Sequence, residues 1–409
     1  SVGRALRCAA AAAAAAAAQM LAGLGKAAVT LLLATDVAQR CRPSVPKWSQ
    51  GSDASQTAAV LHDLYGNAGF WPTPWLGGLL GGHLQTIWYG LSKAPTFDFT
   101  EERWTTADGG TLGLAWAVAP SSLPASAPVV LVLPGLCGSI EGTGHTIHAM
   151  LQAGLRPVCL HQRGCGVPLS SPRFNMFGDT RDLRDAVARI ALRWPHAPVC
   201  LHSISAGTAL MVRYLGEMGA KAPIAAAVAN CPGYDIGVCI TRVGWLYDAG
   251  YYLSVLKRHW LGGRNGEVLR AADALTCTRM QQAADMHTFM SAAAPFAAAQ
   301  HGRAATNAGT VANAFAAYLG ASNPMGVAHQ IEVPALIVNA DDDPVVSARN
   351  VDENAPPLLA GGGGSRMVLL RYPAGGHCCF ARGLRARRWG DELSAGFLAA
   401  IASDAVEHR

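Results

Sequence analysis

The sequence predicts an α/β protein with a mostly parallel central sheet and an inserted helical segment. Three observations carry this. From residue 128 onward, short β-rich apolar runs alternate with helical patterns, the order expected when helices cross between parallel strands. The runs are unbroken rather than alternating, so both faces of the sheet are covered. Residues 233–333 then interrupt the regularity with a stretch rich in Ala, Met and aromatics.

Composition narrows the class. The 409 residues are 51% hydrophobic and 14% charged, well under the usual quarter or so of charged residues. A disordered or coiled-coil chain is excluded. The net charge of +5 is spread along the chain. No Lys/Arg run has the density of a nucleic-acid groove, so no nucleic-acid partner is expected.

The elements follow in order. Residues 1–40 form a segment of their own. Ten alanines run from Ala9 to Ala18, Leu21 to Ala34 is apolar apart from Lys26 and Thr30, and the first acidic residue is Asp36. About 20 apolar residues can span a bilayer, and an acid-free, Arg-bearing start also fits an organelle transit peptide. Both readings stand: membrane association through residues 9–35, or targeting to an organelle. Residues 37–70 read as irregular. Residues 98–118 read as a hairpin turning at Asp108-Gly109-Gly110. The core strands are Pro128–Leu133, Pro157–Gln162, Pro198–Ile204, Ile224–Asn230, Pro334–Asn339 and Met367–Tyr372. Helices are expected near 143–153, 179–194 and 206–219. In the second, Asp179 and Asp182 crowd the amino-terminal turn, where the helix dipole favours them. No Pro/Gly linker bounds 233–333, so this segment is read as a helical cap. It divides an α/β core into residues 70–232 and 334–405.

Eleven cysteines are present, an odd number without a Cys-x-x-Cys pair. Cys159, Cys200 and Cys231 sit in or beside apolar runs and read as small buried hydrophobes in a reducing compartment. Cys378 and Cys379 follow His377, but adjacent side chains point apart, so no metal site is expected.

Function concentrates where strands end and helices begin. The third core strand runs through His202-Ser203-Ile204-Ser205-Ala206-Gly207 into a helix. A nucleophile elbow needs small residues two before and two after the nucleophile. Ser203 and Gly207 meet that need, which makes Ser205 the candidate nucleophile. The fifth strand ends in Asp341-Asp342-Asp343-Pro344. Asp343 best fits the acid position, with Asp342 the close second. The sixth ends in Gly375-Gly376-His377, two glycines that let a loop carry an imidazole over the sheet. Ser, Asp and His in that chain order, each at a strand's carboxyl end, are the arrangement expected of an α/β hydrolase. The first strand ends in Leu133-Pro134-Gly135-Leu136, where an oxyanion loop belongs. The backbone N–H groups of Leu136 and Ala206 are the expected donors.

These residues resemble the AB hydrolase 4 family of the AB hydrolase superfamily, the YheT-like serine hydrolases. That family includes animal membrane-associated lipid hydrolases and plant embryogenesis-associated proteins. The motifs are Gly82-His83-Leu84-Gln85-Thr86, Leu133-Pro134-Gly135-Leu136, Gln162-Arg163-Gly164-Cys165-Gly166, Pro172-Arg173, Asp182-Leu183-Arg184, the Ser205 elbow, Asp342-Asp343-Pro344 and Gly375-Gly376-His377. The resemblance spans about residues 70–395. Ser203 departs from it by replacing a usual Gly, and Asp285–Phe289 is a loose match to an acidic stretch of the family. The resemblance implies an α/β-hydrolase fold and a carboxylesterase or an acylglycerol or phospholipid lipase. It carries the catalytic roles to Ser205, Asp343 and His377. No metal or organic cofactor is needed, and the partner is a small-molecule ester or lipid. An acyltransferase with the same triad, or a non-catalytic binding protein on this scaffold, remains open.

Overall fold

In the computed structural model, which describes residues 26–40, 42–298, 311–361 and 365–407, nine strands form one sheet. They are β1 (Lys47–Gln50), β2 (Phe99–Thr105), β3 (Thr111–Ala117), β4 (Val129–Leu133), β5 (Arg156–His161), β6 (Val199–Ile204), β7 (Ala226–Asn230), β8 (Ala335–Ala340) and β9 (Met367–Tyr372). Their order across the sheet is β1-β9-β8-β7-β6-β4-β5-β3-β2. The six from β5 to β9 are mutually parallel. The β2–β3 hairpin joins β5 antiparallel at one edge, and β1 joins β9 antiparallel at the other.

Every residue of β4 through β8 is buried, because helices cover both faces. Leu183, Val187 and Ile190 of the helix Arg181–Arg193 pack with Leu210 and Leu215 of the helix Gly207–Met218 on one face. Leu61, Ile147, Met150, Leu393 and Phe397 pack on the other. The hydrophobic effect at about 25 cal/mol per Å² of buried apolar surface makes these two layers the main stabilising term.

The six core strands lie where the apolar runs put them. The irregular reading of residues 37–70 is corrected. That stretch holds the end of a helix at residues 26–40, the strand β1 and the helix Ser55–Tyr65. β1 is a four-residue edge strand without a fully buried residue. Its pairing with β9 was therefore invisible as a hydrophobic pattern. The alanine run lies outside the described residues. Asp36 accepts from Leu79 N at 2.8 Å and Arg40 donates to Pro74 O at 2.7 Å, so helix 26–40 lies against the loop before Gly81. Among the described residues, no helix is long and apolar enough to cross a membrane.

Between β7 and β8 the chain is helical: Ile236–Arg242, Leu253–Leu261, Gly263–Ala272, Ala274–Gln282, Met286–Ala298 and Val311–Ser322. Asp235 and Asp273 cap two of these by each accepting from the N–H three residues on, Val238 N at 2.8 Å and Thr276 N at 2.9 Å, the usual Asp N-cap arrangement. These helices share an apolar core of their own with Phe174, Trp260, Phe289 and Tyr318.

Candidate active site

β6 delivers Ser205 on a sharp turn. Its φ is +50°, a strained value for a residue with a Cβ, and its N–H donates to Asn230 O at 2.9 Å. The helix after it starts at Gly207, where a Cβ would stand 2.4 Å from the carbonyl oxygens of both Leu133 and Pro134. Only glycine lets this helix press against the end of β4. Ser203, the departure from the usual elbow, is fully buried and donates to Val228 O at 3.0 Å. Its hydroxyl is satisfied inside the sheet and points away from the chemistry.

The structure brings the three sequence-predicted side chains together. His377 Nε2 lies 2.7 Å from Ser205 Oγ, and His377 Nδ1 lies 2.7 Å from Asp343 Oδ2. The other Asp343 oxygen accepts from Val345 N at 2.8 Å and Val346 N at 2.9 Å. Those bonds fix the carboxylate in the orientation that aligns the imidazole. Burial disfavours the imidazolium, yet the adjacent Asp343 carboxylate outweighs burial and holds His377 well above its ordinary value.

Asp342 takes a different part from Asp343. Its Oδ1 accepts from Gly375 N at 2.9 Å and Gly376 N at 2.8 Å, so it ties down the loop that carries His377. Burial pushes its carboxyl up to about 6 despite those two donors. Asp341 pairs with Arg371 in a half-buried position.

The Gly82–Thr86 motif supports the same loop, a role that sequence reasoning did not assign. Thr86 Oγ1 accepts from His377 N at 2.9 Å and donates to Gly82 O at 2.6 Å. Gln85 accepts from Ala381 N at 3.0 Å. A Cβ at Gly82 would stand 1.8 Å from Asp342 O. The motif's family-specific spacing was the signal; its meaning needed the packing. The Arg163 motif is likewise structural. Its guanidinium grips both oxygens of Asp182 at 2.8 Å and Asp108 at 2.8 Å.

Leu136 and Ala206, the expected oxyanion donors, line a cavity together with Ser205. Among the described residues, no hydrogen bond engages either N–H, which leaves both free for a substrate oxygen. A Cβ on Gly135 would lie 3.5 Å from Ser205 Cβ, so this loop runs directly beside the nucleophile. The cavity measures about 80 Å³, and Phe177, Ile236, Ile240, Tyr252, Met290 and Val346 make it apolar.

Cys231, Cys239 and Cys378 lie at the site. All nine cysteines among the described residues are free. Cys231, His377 and Cys378 offer ligand atoms within 4.8 Å of one another. Both ring nitrogens of His377 already face Asp343 and Ser205, so a metal could take this imidazole only by dismantling that chain.

A family model described as "Hydrolase_4: Serine aminopeptidase, S33" matches residues 124–380, well over half of the chain. The chain belongs to this hydrolase family. Human Protein ABHD15 is 35% identical over 193 residues, 42% of this chain and 39% of that protein. Mouse Phospholipase ABHD3 is 30% identical over 206 residues, 46% of this chain and 49% of that one. The chain thus spans less than half the length of these relatives. Among solved structures, 2,6-dihydroxy-pseudo-oxynicotine hydrolase is 14% identical with a TM-score of 0.47, covering 79% of this chain and 72% of its own.

Proposed function

We propose that this α/β hydrolase cleaves carboxylic esters of acyl chains through Ser205, His377 and Asp343. The observation that carries the reading is the unbroken Ser205–His377–Asp343 hydrogen-bond chain opening on an apolar cavity. His377 takes the Ser205 proton as Oγ attacks the acyl carbonyl. Asp343 holds the imidazole in the required tautomer and balances its charge. The N–H groups of Leu136 and Ala206 receive the developing oxyanion, each contributing about 3–4 kcal/mol. His377 then protonates the departing alcohol, and water, activated by the same imidazole, releases the acid.

The helices of residues 233–333 act as a cap. Ile236, Ile240, Tyr252 and Met290 come from this segment and roof the cavity beside Ser205. An apolar roof favours an acyl chain over a peptide, which would need polar groups to hold its backbone. Helix 26–40 exposes Val29, Leu31, Leu32, Leu33 and Val37, and the adjacent loop exposes Trp71, Trp75, Leu79 and Leu80. This apolar surface supports a place at a membrane.

The test is a panel of esters of increasing acyl length, run on the wild type, Ser205→Ala and Ser203→Ala. Ser205→Ala should lose all turnover while Ser203→Ala keeps most of it. kcat/KM should rise from acetyl to at least hexanoyl–octanoyl, since each buried methylene contributes about 0.8 kcal/mol. A flat profile, or a preference for acetyl, would refute the apolar acyl site.

A further inference from the structure

Two thiols converge on the imidazole of His377. Cys231 directly follows β7, and Cys378 directly follows His377, 147 residues further on. Cys378 N donates to Cys231 Sγ at 3.3 Å. One ligand atom from each of Cys231, His377 and Cys378 lies within 4.8 Å of the other two. The next thiol, Cys379, packs elsewhere, with Leu76, Ala381 and Ala386. The partner that Cys378 does not find in its neighbour comes from another strand end.

These two are unlike the cysteines within the strands. Cys159 and Cys200 sit inside β5 and β6. Cys231 and Cys378 have φ values of +52° and +66°, which residues with a Cβ adopt rarely and which gather at functional sites. Consecutive side chains point apart in extended backbone. Cys378 is not extended, and its thiol and the His377 ring meet at one point. Both thiols are buried, but Cys231 also lines the cavity beside Ser205, which gives a small ion a way in.

The donor set selects the ion. Two thiolates and an imidazole suit zinc, whereas magnesium and calcium take oxygen ligands. Two thiolates also neutralise a divalent cation. The bound group then brings no net charge into a buried place, where an unpaired charge is costly. The Cys378 N–H, already aimed at Cys231 Sγ, becomes a stronger bond once that sulfur is a thiolate.

We propose that Cys231, Cys378 and His377 form a zinc site that switches the hydrolase off. The ion enters by the cavity, displaces the two thiol protons to solvent and takes a ring nitrogen of neutral His377. A water fills the fourth position. Nε2 is the nitrogen assigned to the ion, because Asp343 on Nδ1 then makes the carboxylate–histidine–zinc arrangement that orients a metal-bound imidazole. Ser205 Oγ, now 2.7 Å from Nε2, loses its base. Removing the ion restores it. The loss of turnover rests on the proposed role of the triad; the binding of zinc does not.

The experiment uses the reduced, chelator-treated full-length protein. Cobalt(II) is titrated in as a probe, since its bonds to thiolate give a charge-transfer band that oxygen and nitrogen ligands do not, and zinc is added to displace it. A second arm follows turnover of an octanoyl ester with zinc and then with EDTA. The thiolate–cobalt band should appear and be abolished by zinc. Turnover should fall at least tenfold at zinc saturation and return with EDTA. Cys231→Ala and Cys378→Ala should each lose the band and need at least tenfold more zinc for inhibition, each judged against its own metal-free turnover. Cys379→Ala should keep both the band and the inhibition. With two thiol variants, the test survives if one fails to fold. No thiolate band, or an unchanged band in a folded Cys231→Ala or Cys378→Ala, would overturn the site. A full band with undiminished turnover would overturn the hold on His377. If no ester is turned over even without metal, the reading of the function fails while the cobalt spectrum still decides the site.

Discussion

His202 gives the sharpest physical test of the core. It sits on β6 three residues before Ser205, is fully buried, and neither ring nitrogen has a hydrogen-bond partner among the described residues. Burial alone lowers it from 6.5 to about 3. The folded value is depressed, so the folded state holds a neutral ring while the unfolded chain binds a proton. The stability this involves is intact above pH 6.5 and is lost as pH falls from 6.5 toward 3. Linkage with these two values gives a loss of about 2 kcal/mol at pH 5 and about 3 kcal/mol at pH 4. His202→Leu removes the titration and the two unpaired nitrogens. The variant should be more stable at pH 7 by about 1–3 kcal/mol, and its advantage should widen by the stated amounts on acidification. The assay is urea unfolding of both proteins at pH 7, 6, 5 and 4. Comparing the two proteins removes Asp342, Asp182 and Asp391, whose raised values act in the opposite direction and are common to both. Parallel stability curves from pH 7 to pH 4 would refute the buried neutral imidazole.

The aspartate run and the imidazole give two further tests. Asp343→Asn should cut kcat/KM by roughly 10⁴-fold, the loss seen when a serine protease imidazole is held in the wrong tautomer, whereas Asp341→Asn should change it little. Equal small losses at both positions in ester kinetics would remove Asp343 from the role. Because Asp343 holds His377 above its ordinary value, the acid limb of kcat/KM should lie above pH 6.5, with activity falling below it as His377 becomes protonated. A pH–rate profile whose acid limb lies at or below 6.5 would contradict that ion pair.

The core strands were legible because a strand buried on both faces is mostly apolar. β4 leaves that mark in five consecutive residues, and β7 and β8 in the four of Ala226–Ala229 and of Ala335–Val338. That Ser205, Asp343 and His377 would meet was legible because each stands at a strand end and chain order adds a constraint. β1 was not legible, since an exposed edge strand buries too little to write a pattern. Nor was the distinction between Asp342 and Asp343. Adjacent carboxylates look alike in one dimension, and only the loop path decides that one meets Nδ1 of His377 while the other meets the N–H groups of Gly375 and Gly376.

The sequence by itself determined the α/β architecture, the place of the inserted helices and the three residues proposed for chemistry. These follow from local rules of hydrophobic period and strand-end position. Only the tertiary structure decided what holds His377 over Ser205. Thr86 and Gln85 lie some 290 residues from the loop they brace, and Cys165 meets His259 from 94 residues away. Such contacts depend on where the folded chain returns to itself, and no local period in the sequence encodes that return.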